Sequence, residues 1–409
     1  MPRTTGKLWP EITCFDNIYA AWRRARLGKR YTPEVLLFAE RLEENLCDIQ
    51  GRLLHHTWQP LPWRQFTLQS PKIRLVQAPA FPDRVVHHAL VRVVEPLFER
   101  RFIHDSYACR KGRGTHAASA RLTSFLRSAS GKWDRVYVLK ADISKYFPHI
   151  RHDALLRKIA RTVGDKEALW LCERIITKNG YETCGLPIGA LTSQLFANVY
   201  LDAFDHFVKD ELGVRFYLRY MDDFIILGPE KKELWRTLTH AAEFLANSLG
   251  LALNPKTGIT PASHGVDFAG YRHWTDHNLP RKRNVKRMRI ALQNIARKYA
   301  RGLVTLDDIR SRVTSYTGYM SHCQGFTTTS AMLAAITFTR NSEDIPVADL
   351  IDLSQEAETR ERDAAISAAR AQLNRRSTQM PELRRDHSPG PPCGPARYRT
   401  VRPVRRRTG

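Results

Sequence analysis

The chain has 409 residues, of which 43% are hydrophobic, and its formal net charge is +24. This length and hydrophobic content are sufficient for a folded core, and the positive charge favours a polyanionic partner such as nucleic acid. No apolar run is long enough to span a membrane, and no signal-peptide pattern or Cys-x-x-Cys spacing occurs, so we expect a cytoplasmic protein without a zinc or disulfide framework.

The first 57 residues are predicted to be largely helical. Thr32-Pro33-Glu34 combines a capping residue, a proline suited to the first helical position and an acid in the first turn. Apolar residues then recur near helical spacing, which predicts a helix packed on the core. They are Leu36, Leu37, Ala39, Leu42, Leu46 and Ile49.

Three segments follow in the first half of the chain. Residues 71–76 alternate cations with apolar residues and predict a strand, and a helix is predicted over residues 83–102. Residues 107–116 form a glycine-rich basic segment before another helical run, so amides at that helix start are candidates to hold a phosphate. A flexible basic loop is the alternative. The basic residues of segment 107–116 are Arg110, Lys111 and Arg113.

Residues 136–142 predict a strand that ends in the acid Asp142. An acid at this place either caps the next segment or joins other carboxylates at the strand end. Residues 185–189 predict a loop that becomes a helix near Thr192. An apolar stripe on that helix predicts core packing. It comprises Leu195, Phe196, Val199, Tyr200, Ala203, Phe204 and Phe207.

Residues 219–228 predict a hairpin whose turn carries two neighbouring acids. Apolar runs lie on both sides of Met221-Asp222-Asp223. Adjacent carboxylates at the tip of a buried hairpin repel each other, so cations are expected to balance them. A surface turn is the alternative, because Asp is a favoured turn residue.

The last third of the chain is predicted to be mainly helical. Basic amphipathic residues 281–302 predict one helix, Thr305-Leu-Asp-Asp308 caps a second that ends near Tyr319, and a third covers about 329–338. From 341 onwards the pattern decays into charged, alanine-rich and then proline- and arginine-rich sequence, for which we expect disorder.

Three motifs together resemble a known family. "LKADISKYFPHI", "GLPIGALTSQLFANVYL" and "RYMDDFIIL" resemble motifs A, B and C of a reverse transcriptase palm. The resemblance runs from about Trp58 to Tyr271 and continues more weakly to Phe338. Most of these enzymes have Gln before the glycine of motif B and Pro after its serine. Ile188 and Gln194 stand there in this chain and resemble the reverse transcriptases of diversity-generating retroelements, within the group II intron-like superfamily.

The resemblance implies an α+β right-hand polymerase, with fingers and a palm of antiparallel sheet backed by helices, plus a helical thumb. The implied domains are a helical extension (1–57), fingers and palm (58–275), a thumb (276–340) and a basic, largely disordered tail (341–409).

The implied catalytic residues are Asp142, Asp222, Asp223 and Lys256. Two Mg²⁺ ions, with Mn²⁺ as an alternative, are expected at the three aspartates and Ile143, since hard cations prefer oxygen ligands. Residues 254–256 resemble motif D, in which the lysine protonates or stabilises the pyrophosphate leaving group. An exposed loop lysine is the alternative reading.

The implied nucleotide-binding residues are Lys72, Arg74, Phe147, Ile188, Gly189 and Gln194. Arg74 is expected to grip the triphosphate, with Lys72 as a second choice, although either is compatible with an exposed strand residue. Phe147 is expected to exclude a 2′-hydroxyl, with a core ring as the alternative. Gly189 lets backbone approach the nascent base pair. Arg110, Lys111 and Arg113 are expected beside the template.

The implied function is RNA-directed synthesis of cDNA from a template-repeat RNA, error-prone at template adenines, in a bacterium or phage. Its partners would be the RNA template, the cDNA–primer duplex, deoxynucleoside triphosphates and a small basic accessory protein, with no membrane. Retron, group II intron-type and phage-defence reverse transcriptases are alternatives. A scaffold that binds nucleic acid without catalysis is a further one.

Overall fold

A computed structural model describes residues 5–68, 74–178 and 182–340. The chain divides into two units, Met1–Glu361 and Arg362–Gly409, and every described residue belongs to the first. The predictions for Lys72 and for the tail lie outside the described residues. Among the helices that are described, none combines the length and the apolar character needed to cross a membrane.

In the described part of the chain, four helices precede the first strand, where a largely helical segment is predicted. They are α1 (Trp9–Thr13), α2 (Phe15–Ala25), α3 (Pro33–Glu40) and α4 (Leu42–Leu54). Thr32 and Pro33 begin α3 as expected, but the backbone leaves the helical conformation at Arg41, so the predicted continuous helix is two. Phe38 and Leu46 are buried, whereas the predicted core residue Leu37 is 66% exposed.

A two-stranded antiparallel sheet and two long helices come next. The elements are β1 (Arg64–Leu68), β2 (Arg74–Ala78), α5 (Phe81–Glu99) and α6 (Thr115–Ser130). The start of α5 lies two residues before the predicted one, because Phe81-Pro82 provides an apolar residue and a proline for its first turn.

The central sheet has four antiparallel strands in the order β4-β5-β3-β6. They are β3 (Tyr137–Asp142), β4 (Tyr217–Tyr220), β5 (Asp223–Gly228) and β6 (Gly258–Pro261). Apolar side chains alternate between its faces, so both faces are buried. Val138 and Ile225 pack with residues of α6 on one side, and Leu139 and Ile226 belong to the large core on the other.

Helices complete that large core. They are α7 (His152–Ala160), α8 (Lys166–Thr177), α9 (Leu191–His206) and α10 (Lys231–Leu249). The apolar stripe predicted on α9 contributes Phe196, Tyr200 and Phe204 to the core. The mixed helix and sheet composition is therefore as predicted.

A three-stranded sheet and three helices form the C-terminal part of the described chain. They are β7 (Val266–Phe268), β8 (Tyr271–His273), β9 (Asn278–Pro280), α11 (Lys282–Ala300), α12 (Leu306–Met320) and α13 (Phe326–Ala334). The three helices share a separate small core that includes Leu292, Ile309 and Met332. Thr305 and Asp308 form the capping box at the start of α12, so this predicted helix start is confirmed.

Candidate active site

Two of the predicted carboxylates face each other at one end of the central sheet. Asp142 is the last residue of β3 and Asp223 the first of β5, and the two are paired in the strand register. The predicted hairpin is present, with its turn at Met221 and Asp222. The Ile143 N–H donates to the Asp222 carbonyl oxygen at 3.2 Å, so the chain after β3 is tied to this turn.

The environment of Asp223 disfavours its negative charge. Burial raises the pKa of the Asp223 carboxyl, the Lys140 ammonium opposes this shift, and the charge of Asp142 raises the pKa further. Lys140 lies two residues before Asp142 on β3, and its Nζ donates to the Asp267 carbonyl oxygen at 2.7 Å. The carboxylate pair therefore carries negative charge that a bound cation would stabilise.

The donor chemistry of this pair fits a hard divalent cation, because carboxylate oxygens are the ligands that Mg²⁺ prefers. The fit is incomplete in one respect. Within the described ranges, no three His, Cys, Asp or Glu side chains lie close enough together to hold a metal ion. The strand register pairs Asp142 with Asp223, and Asp222 lies in the adjoining turn.

A buried ion pair supports the turn. Arg219 and Asp205 have side chains with no solvent exposure, and the guanidinium donates to both carboxylate oxygens at 2.7 and 2.6 Å. Arg219 also donates from Nη1 to the Met221 carbonyl oxygen at 2.8 Å, where Met221 adopts a left-handed φ of 56°. This pair was not predicted from the sequence, although an arginine inside an apolar strand and an aspartate beside an apolar helical stripe were available signals.

Asn254 makes a second contact that was not predicted from the sequence. It lies between α10 and β6, and its Nδ2 donates to Asp142 Oδ2 at 3.0 Å. The predicted catalytic residue Lys256 is exposed, and its backbone N–H donates to Asn254 Oδ1 at 3.0 Å. The carboxamide thus connects the Lys256 loop to the carboxylate pair.

Three of the predicted nucleotide-binding residues lie on segments joined by backbone hydrogen bonds. The Gln77 N–H on β2 donates to the Ile188 carbonyl oxygen at 2.9 Å, and the Leu186 N–H donates to the Phe147 carbonyl oxygen at 3.0 Å. Phe147 and Ile188 are both half-buried. Arg74 begins β2, three residues before Gln77.

Position 189 requires glycine because of its backbone conformation and its close neighbours. Its φ is +131°, and a Cβ at this position would lie 2.7 Å from the Gln77 carbonyl oxygen and 2.9 Å from Val76 Cγ1. Gly189 therefore allows the backbone of β2 to approach closely, and this neighbour was not predicted from the sequence.

The predicted template-side cations have different surroundings. The Arg110 side chain is buried and donates to both carboxylate oxygens of Glu99. Lys111 pairs with Glu95, and Arg113 is partly exposed and donates to the His104 carbonyl oxygen. Direct contact with nucleic acid would break the buried Arg110 pair at high cost, which argues against the predicted role of this residue.

Gln194 is exposed on the first turn of α9. It lines a cavity of about 280 Å³ together with Lys111 and the arginines Arg24 and Arg92. The structure thus brings Gln194, predicted to bind nucleotide, to a cavity that two residues predicted to bind template, Arg110 and Lys111, also line together with Glu95.

Comparison with known proteins identifies relatives of this chain. A family model described as "Reverse transcriptase (RNA-dependent DNA polymerase)" matches residues 68–273. Protein YkfC of Escherichia coli is 28% identical over 313 residues, which cover 65% of this chain and 80% of YkfC. The group II intron-encoded protein LtrA of Lactococcus lactis is 29% identical over 178 residues, covering 41% of this chain but 28% of LtrA.

Among solved structures, apo telomerase from Candida tropicalis aligns with a TM-score of 0.43 and 12% sequence identity. The alignment covers 66% of this chain and 58% of the telomerase chain.

Proposed function

The chain belongs to the reverse transcriptase (RNA-dependent DNA polymerase) family, and we propose that the chemistry of this RNA-directed DNA polymerase is centred on Asp142 and Asp223. The observation that carries the proposal is the pairing of these two acids at the ends of neighbouring strands. Asp222, in the adjoining turn, and Ile143, which is bonded to that turn, complete the proposed centre.

The carboxylates of Asp142 and Asp223 are proposed to hold divalent cations, Mg²⁺ or Mn²⁺, with Asp222 and Ile143 as further ligands. When bound, such cations activate a primer 3′-hydroxyl and stabilise the pyrophosphate leaving group. The protein contributes the placement of the carboxylates. Arg219 holds the turn that carries Asp222, and the strand register holds Asp142 against Asp223.

The incoming deoxynucleotide is proposed to bind beside β2 and the adjoining loop that contains Ile188 and Gly189. Arg74 and Lys72 would grip the triphosphate, and Gln194 would complete the nucleotide-binding set. Phe147 would lie against the sugar. The bond between Gln77 and Ile188 supports this assignment, because it connects the β2 strand to the loop.

Charged side chains outside the carboxylate pair are proposed to act on the leaving group and the template. Lys256 is exposed on its loop and would stabilise or protonate the departing pyrophosphate. Lys111 and Arg113 would contact the template backbone.

The α+β core is proposed to form the fingers and palm of a right-hand polymerase over residues 58–275. Residues 1–57 would extend it, and residues 276–340 would form a thumb. The basic sequence of α11 supports contact with a duplex backbone, since Lys and Arg neutralise phosphates.

We further propose that the enzyme serves a diversity-generating retroelement in a bacterial or phage setting. Its cDNA synthesis would be error-prone at template adenines and would involve a small basic accessory protein. Ile188 supports the proposal, because a β-branched apolar side chain cannot hydrogen-bond to a nucleotide as Gln would. A group II intron-type role is the second candidate, favoured by the similarity to LtrA.

Primer extension on an RNA template with Mg²⁺, with every product sequenced, tests both the polymerase activity and the diversity-generating role. The reactions compare wild type, Asp222→Ala/Asp223→Ala and Ile188→Gln, each with and without any small basic protein encoded nearby. We expect product from wild type, none from the double variant, and errors concentrated at template adenines that decline in Ile188→Gln.

If the wild-type product is faithful, the proposed polymerase activity stands and the diversity-generating role is rejected. An unchanged adenine error rate in Ile188→Gln would reject the role of this residue. Folded protein that binds RNA but extends no primer in any condition would leave the scaffold as the better account.

A further inference from the structure

The Asn254 carboxamide contacts the proposed metal-binding carboxylate of Asp142 directly. Its Nδ2 donates to Asp142 Oδ2 at 3.0 Å. We propose that Asn254 is a positioning residue that orients Asp142 for divalent-cation binding and couples it to the loop that carries Lys256. This inference rests on the proposed function, in which Asp142 and Asp223 hold the cation.

The backbone around Asn254 is held independently of its side chain. Its own N–H donates to the Asp142 carbonyl oxygen at 2.7 Å, and the Ser144 N–H donates to the Ala252 carbonyl oxygen at 2.8 Å. Between these bonds, Ile143 and Leu253 form an antiparallel bridge. A side-chain substitution at Asn254 therefore leaves these backbone contacts available.

The two neighbours of the carboxamide admit a single orientation. Asp142 offers only acceptor oxygens when ionised, so the NH₂ group must face it. The Lys256 backbone N–H is a donor and must face the oxygen, as it does at 3.0 Å. Rotating the amide by half a turn would place oxygen against carboxylate and NH₂ against N–H, which would lose both hydrogen bonds.

This fixed orientation matters because Asp142 and Asp223 repel each other. When both carboxylates are ionised and no cation is bound, their like charges favour rotation of each away from the other. A donor that holds one oxygen of Asp142 opposes that rotation and leaves the other oxygen for a cation. Hydrogen bonds to metal ligands act in this way, and their loss typically weakens metal affinity by about tenfold or more.

The second half of the coupling concerns Lys256. Because one carboxamide bonds both Asp142 and the Lys256 backbone, a movement of the carboxylate is transmitted to the loop that holds the proposed leaving-group acid. Removing the Asn254 side chain should disturb metal binding and the loop together. Removing the Lys256 side chain should slow the proposed chemical step without changing metal binding or the loop.

Mn²⁺ binding to the full-length protein, measured by electron paramagnetic resonance without primer or nucleotide, tests the proposal without relying on activity. Asn254→Leu keeps an approximate side-chain volume and removes both hydrogen bonds, and Asn254→Ala serves if the leucine variant does not fold. Asn247→Ala is the matched control, since Asn247 is exposed on α10. Asp142→Asn, which lacks a proposed metal-binding carboxylate, defines the background level of Mn²⁺ binding.

We expect the Asn254 variants to bind Mn²⁺ roughly tenfold more weakly than wild type. Lys256→Ala and Asn247→Ala should bind it as wild type does. Equal affinity in wild type and a folded Asn254 variant would overturn the inference while leaving the metal centre intact. If wild type binds no more Mn²⁺ than Asp142→Asn, the proposed metal centre is wrong and this inference falls with it.

The Mg²⁺ dependence of primer extension gives a second readout. In Asn254→Leu, the Mg²⁺ concentration at half-maximal rate should rise by about the same factor, and saturating Mg²⁺ should restore much of the rate. In Lys256→Ala, the rate should be lower at every Mg²⁺ concentration. A rate loss in Asn254→Leu that Mg²⁺ does not relieve would contradict positioning of the cation site.

Discussion

Arg219 and Asp205 form a fully buried ion pair in which the guanidinium grips both carboxylate oxygens. The same guanidinium donates to the Met221 carbonyl oxygen in the turn before Asp222. Burial disfavours the charge of Arg219, but its interaction with Asp205 outweighs this effect and raises its pKa. The ion pair therefore links the packing of α9 to the turn beside the carboxylate pair.

Replacing Arg219 by Met should lower the free energy of unfolding by about 3–5 kcal/mol, because the buried Asp205 would keep the Tyr217 hydroxyl but lose its cationic partner. Urea unfolding would measure the change. Arg236→Met is the matched control, since Arg236 is exposed on α10, and it should have little effect. The double variant Arg219→Met/Asp205→Leu should recover part of the lost stability, since the Tyr217 hydroxyl loses its acceptor, but not DNA synthesis, because Met221 still lacks its donor. A single variant as stable as the control would contradict this account.

Replacing Gly189 by Ala should lower the free energy of unfolding by roughly 1–3 kcal/mol and impair nucleotide binding. The new Cβ would meet the Gln77 carbonyl oxygen at 2.7 Å, and the φ of +131° is unfavourable for Ala. Urea unfolding and the KM for deoxynucleotides would report the two effects.

Gly318→Ala is the control for this substitution. Gly318 lies within α12, and no atom lies within 4 Å of a Cβ added there, so this variant should be as stable as wild type or more stable. Equal stability of Gly189→Ala and wild type would show that β2 can move away without cost.

Replacing Phe147 by Val should increase incorporation of ribonucleotides relative to deoxynucleotides by roughly tenfold to a hundredfold. The smaller side chain would leave room for a 2′-hydroxyl. Single-nucleotide extension with each substrate gives the ratio of kcat/KM values. Phe326→Val is the matched control because Phe326 is 84% exposed. An unchanged ratio in active Phe147→Val would favour the alternative role as a core ring.

His273 should make the protein less stable as pH falls. Its side chain is buried, and burial lowers its pKa to about 4, whereas the unfolded chain takes up a proton near pH 6.5. Its contribution is therefore fully present above about pH 6.5 and is lost as pH falls towards 4, by up to roughly 3 kcal/mol. His273→Gln should flatten this dependence in urea unfolding at several pH values.

Asp83 and Asp202 act in the opposite direction, because burial raises the pKa of each to about 6. Both carboxyl groups are present in His273→Gln and in wild type, so their contribution cancels when the two pH profiles are compared. His240→Gln is the control, because His240 is exposed. A His273→Gln profile parallel to that of wild type would show that this histidine does not titrate differently on folding.

Local pattern was sufficient to predict most elements in the described chain. The hairpin around Met221 and Asp222, the apolar stripe of α9 and the capping box at Thr305 follow from residues close together in sequence. The predicted helix over 32–49 divided at Arg41, because apolar spacing does not reveal a backbone break. Charge was a weaker guide, since Arg110 has the same sequence character whether it binds Glu99 or a phosphate.

The sequence by itself determined the family, the order of the motifs and the acids at the ends of the predicted strands, because these depend on residue type and spacing. Only the tertiary structure decided which groups meet. Asn254 reaches Asp142 across 112 positions, and Arg219 meets Asp205 only because β4 packs on α9. Such contacts depend on strand register and helix packing, for which no local periodicity carries a signal.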